Sequence, residues 1–152
     1  MILAKLINPN TIKAVGKINI CVRDEFGNIK REMDINNTVT TLGKEHIADR
    51  MATTPSLNPM CSMAIGTGTP SATALGTEVY RKGFKSKTVS GAVVTYQAYW
   101  DINDRIAITV TEAGIFNAPN LGGTMLNSGT VSPSIVKGLN DVLDITWTLT
   151  IA

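Results

Sequence analysis

Residues 105–125 read RIAITVTEAGIFNAPNLGGTM, and the way this stretch alternates, breaks and resumes decides the class of fold. Ile106, Ile108 and Val110 share one face, the period-2 pattern of a half-buried strand. The pattern breaks at Thr111-Glu112-Ala113-Gly114, resumes at Ile115-Phe116, and gives way to turn residues at 117–123. A carboxylate at such a break raises the question of catalysis. No base, nucleophile or metal partner lies within reach of Glu112 by sequence. The residue types point instead to a bend, with Glu112 satisfying backbone donors and Ala113 and Gly114 letting strands approach closely.

Working outward, residues 124–130 form a return strand, 131–134 an irregular link and 137–141 a turn. The cleanest alternation follows at 142–151. Leu143, Ile145, Trp147, Leu149 and Ile151 share one face, and Asp144, Thr146, Thr148 and Thr150 the other. Upstream, residues 84–89 and 92–100 read as strands joined at Ser90-Gly91. Both faces of 92–100 are fairly apolar, so one suits the core and the other a partner subunit, with Tyr99-Trp100 an interface candidate weighed against plain core packing. Residues 15–23 and 29–35 form a hairpin about the turn 24–28. One helix is expected at about 42–51, capped by Thr41, with Leu42, Ile47, Ala48 and Met51 as its buried stripe. A short helical turn weakened by Gly76 is expected within 71–80, and Asp101-Ile102-Asn103-Asp104 reads as a hairpin turn. Residues 1–14 have no period and are broken at Asn8-Pro9-Asn10, which suits an N-terminal arm lying on a neighbouring subunit.

The architecture expected is mainly β: an antiparallel β-sandwich or small barrel of seven to nine strands with one short α-helix, in a single domain over 1–152. Composition agrees. The chain is 43% hydrophobic and only 17% charged, with 13 glycines, and 152 residues can bury a real core without disulfides or metals. A net charge of +2 with scattered cations excludes the strong basic face of a nucleic-acid binder. The local cluster Arg81, Lys82, Lys85 and Lys87 reads as a solvated edge strand before it reads as a phosphate contact. No run approaches the roughly 18 apolar residues of a membrane span, and the N-terminal stretch is too short and interrupted for a signal peptide. A soluble protein made in the cytoplasm is expected, with no membrane or nucleic-acid partner.

No stretch carries the spacing of a cofactor, metal or catalytic site. Cys21 and Cys61 have neither C-x-x-C nor zinc spacing and read as buried free thiols. Gly66-Thr67-Gly68 lacks both the third glycine of a dinucleotide fingerprint and the Gly-Lys-Ser/Thr of a phosphate loop. His46 stands beside Glu45, yet neighbouring helix residues point apart, so it reads as structural. A small hydrolase using Asp101, Asp104 or Glu112 remains as a remote alternative. A carbohydrate-binding platform competes with the core for two Trp, three Tyr and three Phe.

Several stretches taken together resemble a family of tailed-bacteriophage virion structural proteins: NTVTTLGK at 37–44 leading into HIADRM at 46–51, MAIGTGT at 63–69, ALGTEVYR at 74–81, TEAGIFN at 111–117, GTML at 123–126 and DITWTL at 144–149. Each is short and rich in Gly and Thr; their order and spacing over residues 36–151 carry the likeness. The E-A-G-[I/L]-F element is also similar to one in the N-terminal modules of tail-collar fibre proteins. The resemblance implies a non-enzymatic, oligomeric protein of the virion, assembled in the bacterial host cytoplasm. Its implied partners are other copies of itself, a trimer if it sits on three-fold positions, and the major capsid protein or another virion protein. A chain without a fibre stalk suits capsid decoration, in which a cement protein clamps several subunits at once. The alternative is a neck, collar, baseplate or fibre adaptor.

Overall fold

A computed structural model of the chain describes residues 12–152. In chain order its elements are β1 (Ala14–Arg23), β2 (Ile29–Asn36), β3 (Thr38–Val39), α1 (Thr41–Arg50), β4 (Ser62–Gly66), β5 (Glu78–Gly83), β6 (Ser86–Ser90), β7 (Val93–Trp100), a 3-10 turn (Ile102–Asp104), β8 (Ile108–Phe116), β9 (Met125–Lys137) and β10 (Val142–Ile151). They build two antiparallel sheets, ordered β2-β1-β10-β7-β6 and β3-β9-β8-β4-β5. The fold is a β-sandwich, and of the two architectures expected the barrel is excluded because neither sheet closes.

β10 sits at the middle of the first sheet because its apolar face finds matching faces on both sides. Trp147 lies opposite Ile18 of β1 and Tyr96 of β7, and Ile145 opposite Ile20 and Ala98. These rows, with Leu143 and Leu149, pack against Met63, Ile65, Val110, Ala113, Ile115 and Ile135 of the second sheet. Fully burying an aliphatic or aromatic side chain contributes about 1.5–3 kcal/mol, so this shared wall is the main source of stability.

The break in the organising stretch has a simple cause. β8 is one continuous strand, but Val110 lies opposite Ile135 and Glu112 opposite Thr130, so residues 131–134 of β9 bulge opposite Thr111. The irregularity shifts the side-chain phase by one residue. Val110 faces the core on one parity, and Ala113 and Ile115 face it on the other. The expected link at 131–134 is therefore a bulge within β9, with a cis Ser132–Pro133 peptide. Phe116 turns the opposite way from Ile115 and packs with Ala64, Leu75 and Met125 in a second, smaller cluster.

Other expectations need correction. Thr40, not Thr41, caps α1: its Oγ1 accepts from the Gly43 N–H at 2.8 Å and donates to the Met125 carbonyl at 2.5 Å. The residues buried on α1 are Gly43 and His46, while Ala48 and Met51 are exposed. The reason is close docking: a methyl group on Gly43 would collide with the Leu126 carbonyl oxygen of β9. Residues 71–80 hold no helix; their end starts β5. The turn at 102–104 is not a hairpin, because β7 and β8 lie in different sheets and the chain crosses the sandwich there. Of the expected arm, residues 1–11 lie outside the described residues, whereas Lys13 is tied to Ala152 by two backbone hydrogen bonds of 2.6 and 2.7 Å and Ala14 starts β1.

Candidate functional site

The three stretches MAIGTGT, ALGTEVYR and TEAGIFN converge on one buried carboxylate. Glu112 is fully buried. Its Oε1 accepts the backbone N–H groups of Thr77 at 2.7 Å and Gly68 at 3.1 Å, and Oε2 accepts that of Gly76 at 2.7 Å. Thr111 Oγ1 donates to the Gly68 carbonyl at 2.7 Å, tying the same loop from the neighbouring position. An ionised carboxylate is acceptor-only, so three converging donors suit it. Any methyl at Gly66 would run into Glu112 Oε1 and the Thr77 carbonyl, which is why glycine occupies that position.

Beside this knot, Arg81 occupies the position that closes the β8–β9 turn. Its side chain is nearly buried, with both guanidinium edges in use. Nε and Nη2 donate to Glu78 at 3.0 and 2.6 Å, while Nη1 donates to the carbonyls of Ala118, Gly122 and Asn120. The guanidinium lies 3.8 Å from the centre of the Phe116 ring. The other cations of the cluster are also engaged. Lys82 pairs with Asp104 at 2.6 Å, Lys85 lies 4.6 Å above the Tyr99 ring, and Lys87 donates to the Met60 carbonyl at 3.1 Å. They sit on or beside β5 and β6, both edge strands, so the edge reading fits. Arg81 departs from it by being buried.

The candidate acids are spent on structure, Asp101 and Asp104 in one cap and Glu112 in a separate set of hydrogen bonds. Asp101 accepts the Asn103 N–H at 2.9 Å and Asp104 accepts the Asp101 N–H at 2.8 Å, a reciprocal cap on the sheet crossing. Burial pushes Asp104 up, but Lys82 and the Asp101 N–H outweigh it and hold the carboxyl below its usual range. Glu112 belongs to the separate knot. His46 is buried, its Nε2 2.6 Å from the Asn58 carbonyl oxygen. Asp49, not Glu45, does local work on α1: N–H groups of Leu57 and Ser56 and the Ser56 hydroxyl hold its carboxyl below the ordinary range. Cys21 is a buried free thiol pushed up by burial, and Cys61 is free and only half-buried. Trp100 is a core residue, while Tyr99 lies half-buried on the outer face under Lys82 and Lys85.

Sequence reading missed Lys137. It is fully buried, and its Nζ donates to the carbonyls of Ile106 at 2.8 Å and Gly138 at 3.0 Å. Burial pulls its pKa down, against the opposing pull of Asp141, Asp104 and Asp101. Asp141 caps the same turn through the Gly138 N–H at 2.7 Å and pairs with Lys30 at 2.9 Å. Only the turn residues following Lys137 hinted that carbonyls there would need a donor.

One feature of the surface is not consumed by the fold. Between α1 and the β6–β7–β10 side of the first sheet lies an open apolar groove of about 450 Å³, with Met60, Val94, Leu149 and Ile151 in its wall. It shares Ile47 and Ile151 with a second groove that runs to Ile12 and Val15. Comparison with protein-family models, curated proteins and solved structures finds no match to this chain. No helix among the described residues is long and apolar enough to cross a membrane.

Proposed function

We propose that this chain is a non-enzymatic structural protein of a tailed-bacteriophage virion, acting as a capsid decoration (cement) protein. The observation that carries the reading is the Glu112 knot. The segments that resemble the virion family, 63–69, 74–81 and 111–117, are joined by hydrogen bonds from Gly68, Gly76 and Thr77 to one carboxylate. Their shared residues hold a scaffold together, and Asp101, Asp104 and Glu112 each already have structural partners. A rigid sandwich with protected edges suits a clamp, whose strength comes from several weak contacts that must be lost together. Copies of the chain and the major capsid protein are the partners in this reading, and the virion is its location.

The test is binding of the purified chain to mature capsids, with heat and chelator resistance measured on virions with and without it. Capsid binding and a loss of resistance without it are expected. Labelling confined to the tail would overturn the cement role and leave the neck, collar or baseplate adaptor.

A further inference from the structure

The core of the sandwich is left open at one end. Along the inner face of β10, Ile145 and Trp147 are fully buried, whereas Ile151 is only half-buried. At the same end Val94 of β7 is half-buried, and Val89, opposite it on β6, is 70% exposed. α1 covers part of the gap and leaves Met51 81% exposed at its edge. The result is the pair of adjoining apolar grooves that share Ile47 and Ile151. Removing such surface from water is worth about 25 cal/mol per Å², so the grooves favour any apolar stretch of chain held close to them.

The chain itself delivers one. Lys13 pairs with Ala152 and Ala14 with Ile151, so the N-terminal segment joins β1 at this end. Ile12, 74% exposed, lines the smaller groove. Upstream stand Met1-Ile2-Leu3-Ala4-Lys5-Leu6-Ile7, apolar apart from Lys5, and then Asn8-Pro9-Asn10-Thr11. These lie outside the described residues, but their reach follows from chain geometry. From β1 past β10 and β7 to β6 is three strand spacings, roughly 14 Å at about 4.8 Å each. Ile7 is five residues from Ile12 and so reaches up to roughly 16 Å at about 3.3 Å per residue. Asn8-Pro9-Asn10 suits a change of direction. The apolar stretch therefore arrives within range of the whole larger groove.

We infer that residues 1–7 seat in the α1–β6 groove of their own chain, as a strap that closes the open end of the sandwich. A tethered segment sits over a site within its reach at an effective concentration of about millimolar order, an advantage that a second copy in dilute solution lacks. The contact is apolar rather than ionic. Lys13, Lys44, Arg50 and Lys87 line the grooves and give Lys5 no partner among the described lining residues. Raising salt, which screens charge, is therefore expected to leave the strap in place. The inference goes beyond the proposed function and does not depend on it.

Limited trypsin digestion of the full chain tests it, with cleavage after Lys5 followed by mass spectrometry. Each rate is referred to that of a synthetic peptide of residues 1–11 with the same sequence. The wild-type chain is expected to be cleaved there more slowly than its peptide, equally at every protein concentration and at low and high salt. Leu3→Ser with Leu6→Ser removes apolar groups from the strap, and Met51→Glu with Val89→Glu spoils the groove. Met51 and Val89 are exposed, so circular dichroism is expected to show an unchanged fold. Either pair is expected to raise the rate by roughly tenfold, the equivalent of about 1.4 kcal/mol. Combined in one chain, the two pairs are expected to add nothing further, because the contact is lost only once. A wild-type chain cleaved as fast as its peptide, or a groove pair without effect, would overturn the strap. Protection that falls on dilution would overturn it too and assign the segment to a neighbouring copy. Capsid binding does not enter the readout, so failure of the proposed function would leave this result standing.

Discussion

Replacing Glu112 separates a structural carboxylate from a reactive one by magnitude. In Glu112→Gln the side chain keeps its shape, but one of its two terminal atoms becomes a donor. The oxygen can stay with Gly68 and Thr77, which leaves the new amide facing the Gly76 N–H across the present 2.7 Å contact. The change removes one charge-assisted hydrogen bond, worth about 1.5–3 kcal/mol, weakens the other two, and leaves a buried donor without an acceptor. A loss of about 2–4 kcal/mol is expected. Glu112→Ala removes the acceptor of three backbone N–H groups, but Gly76 and Thr77 are exposed residues and Gly68 is half-buried, so water can reach part of what the carboxylate held. A loss of about 3 kcal/mol, the lower end of about 1–3 kcal/mol per group, is expected. Urea denaturation followed by circular dichroism reads both, with an unchanged m-value showing that the denatured state is the same. A Glu112→Gln chain within about 0.5 kcal/mol of wild type would refute the knot. It would also return Glu112 to the candidate acids.

Gly43→Ala pits propensity against packing: in an exposed helix the change would add about 1 kcal/mol of stability, but here the methyl meets the Leu126 carbonyl. The thermal midpoint is expected to fall, and a rise would show that α1 does not dock closely on β9. Acid should destabilise the chain through Asp104 and Asp141. For Asp141, too, burial raises the pKa but Lys30 and the Gly138 N–H outweigh it, so both carboxyls are held below 3.8 in the folded chain. The folded state then carries fewer protons than the unfolded one, so the stabilisation is complete above 3.8 and is lost as pH falls through the lowered values. Urea midpoints taken between about pH 3 and 5 are expected to rise with pH, and Asp141→Asn should flatten part of that slope.

What could be read from the sequence follows from which signals are local. The alternation in β10 and in β1 placed Trp147, Ile145, Ile18 and Ile20 correctly, since a strand buried on one face writes its environment at every second residue. The role of Glu112 was also legible in kind, because a carboxylate at a pattern break with small neighbours has few other uses. Its donors were not, for Gly68, Gly76 and Thr77 arrive from loops whose approach depends on the whole second sheet. The helix misled for the same reason. Its apolar residues suggested a stripe at Leu42, Ile47, Ala48 and Met51, but the contact with β9 is made where the side chain is smallest, at Gly43. Lys137 was hidden because a buried lysine answering to carbonyl oxygens leaves no periodic trace.

The four sheet edges bear on how copies can associate. β5 carries Arg81 and Lys82, and β6 is exposed throughout with Lys87 in it. β2 carries Lys30, Arg31, Glu32 and Asp34, and β3 is only two residues long. Charged or very short edges resist pairing with another strand, so extending either sheet across copies is disfavoured. Association then falls to side chains outside the ladders. The exposed apolar groups there include Phe26 on the β1–β2 turn, Leu121 on the β8–β9 turn, and Met51 and Val89 at the lip of the groove beside α1.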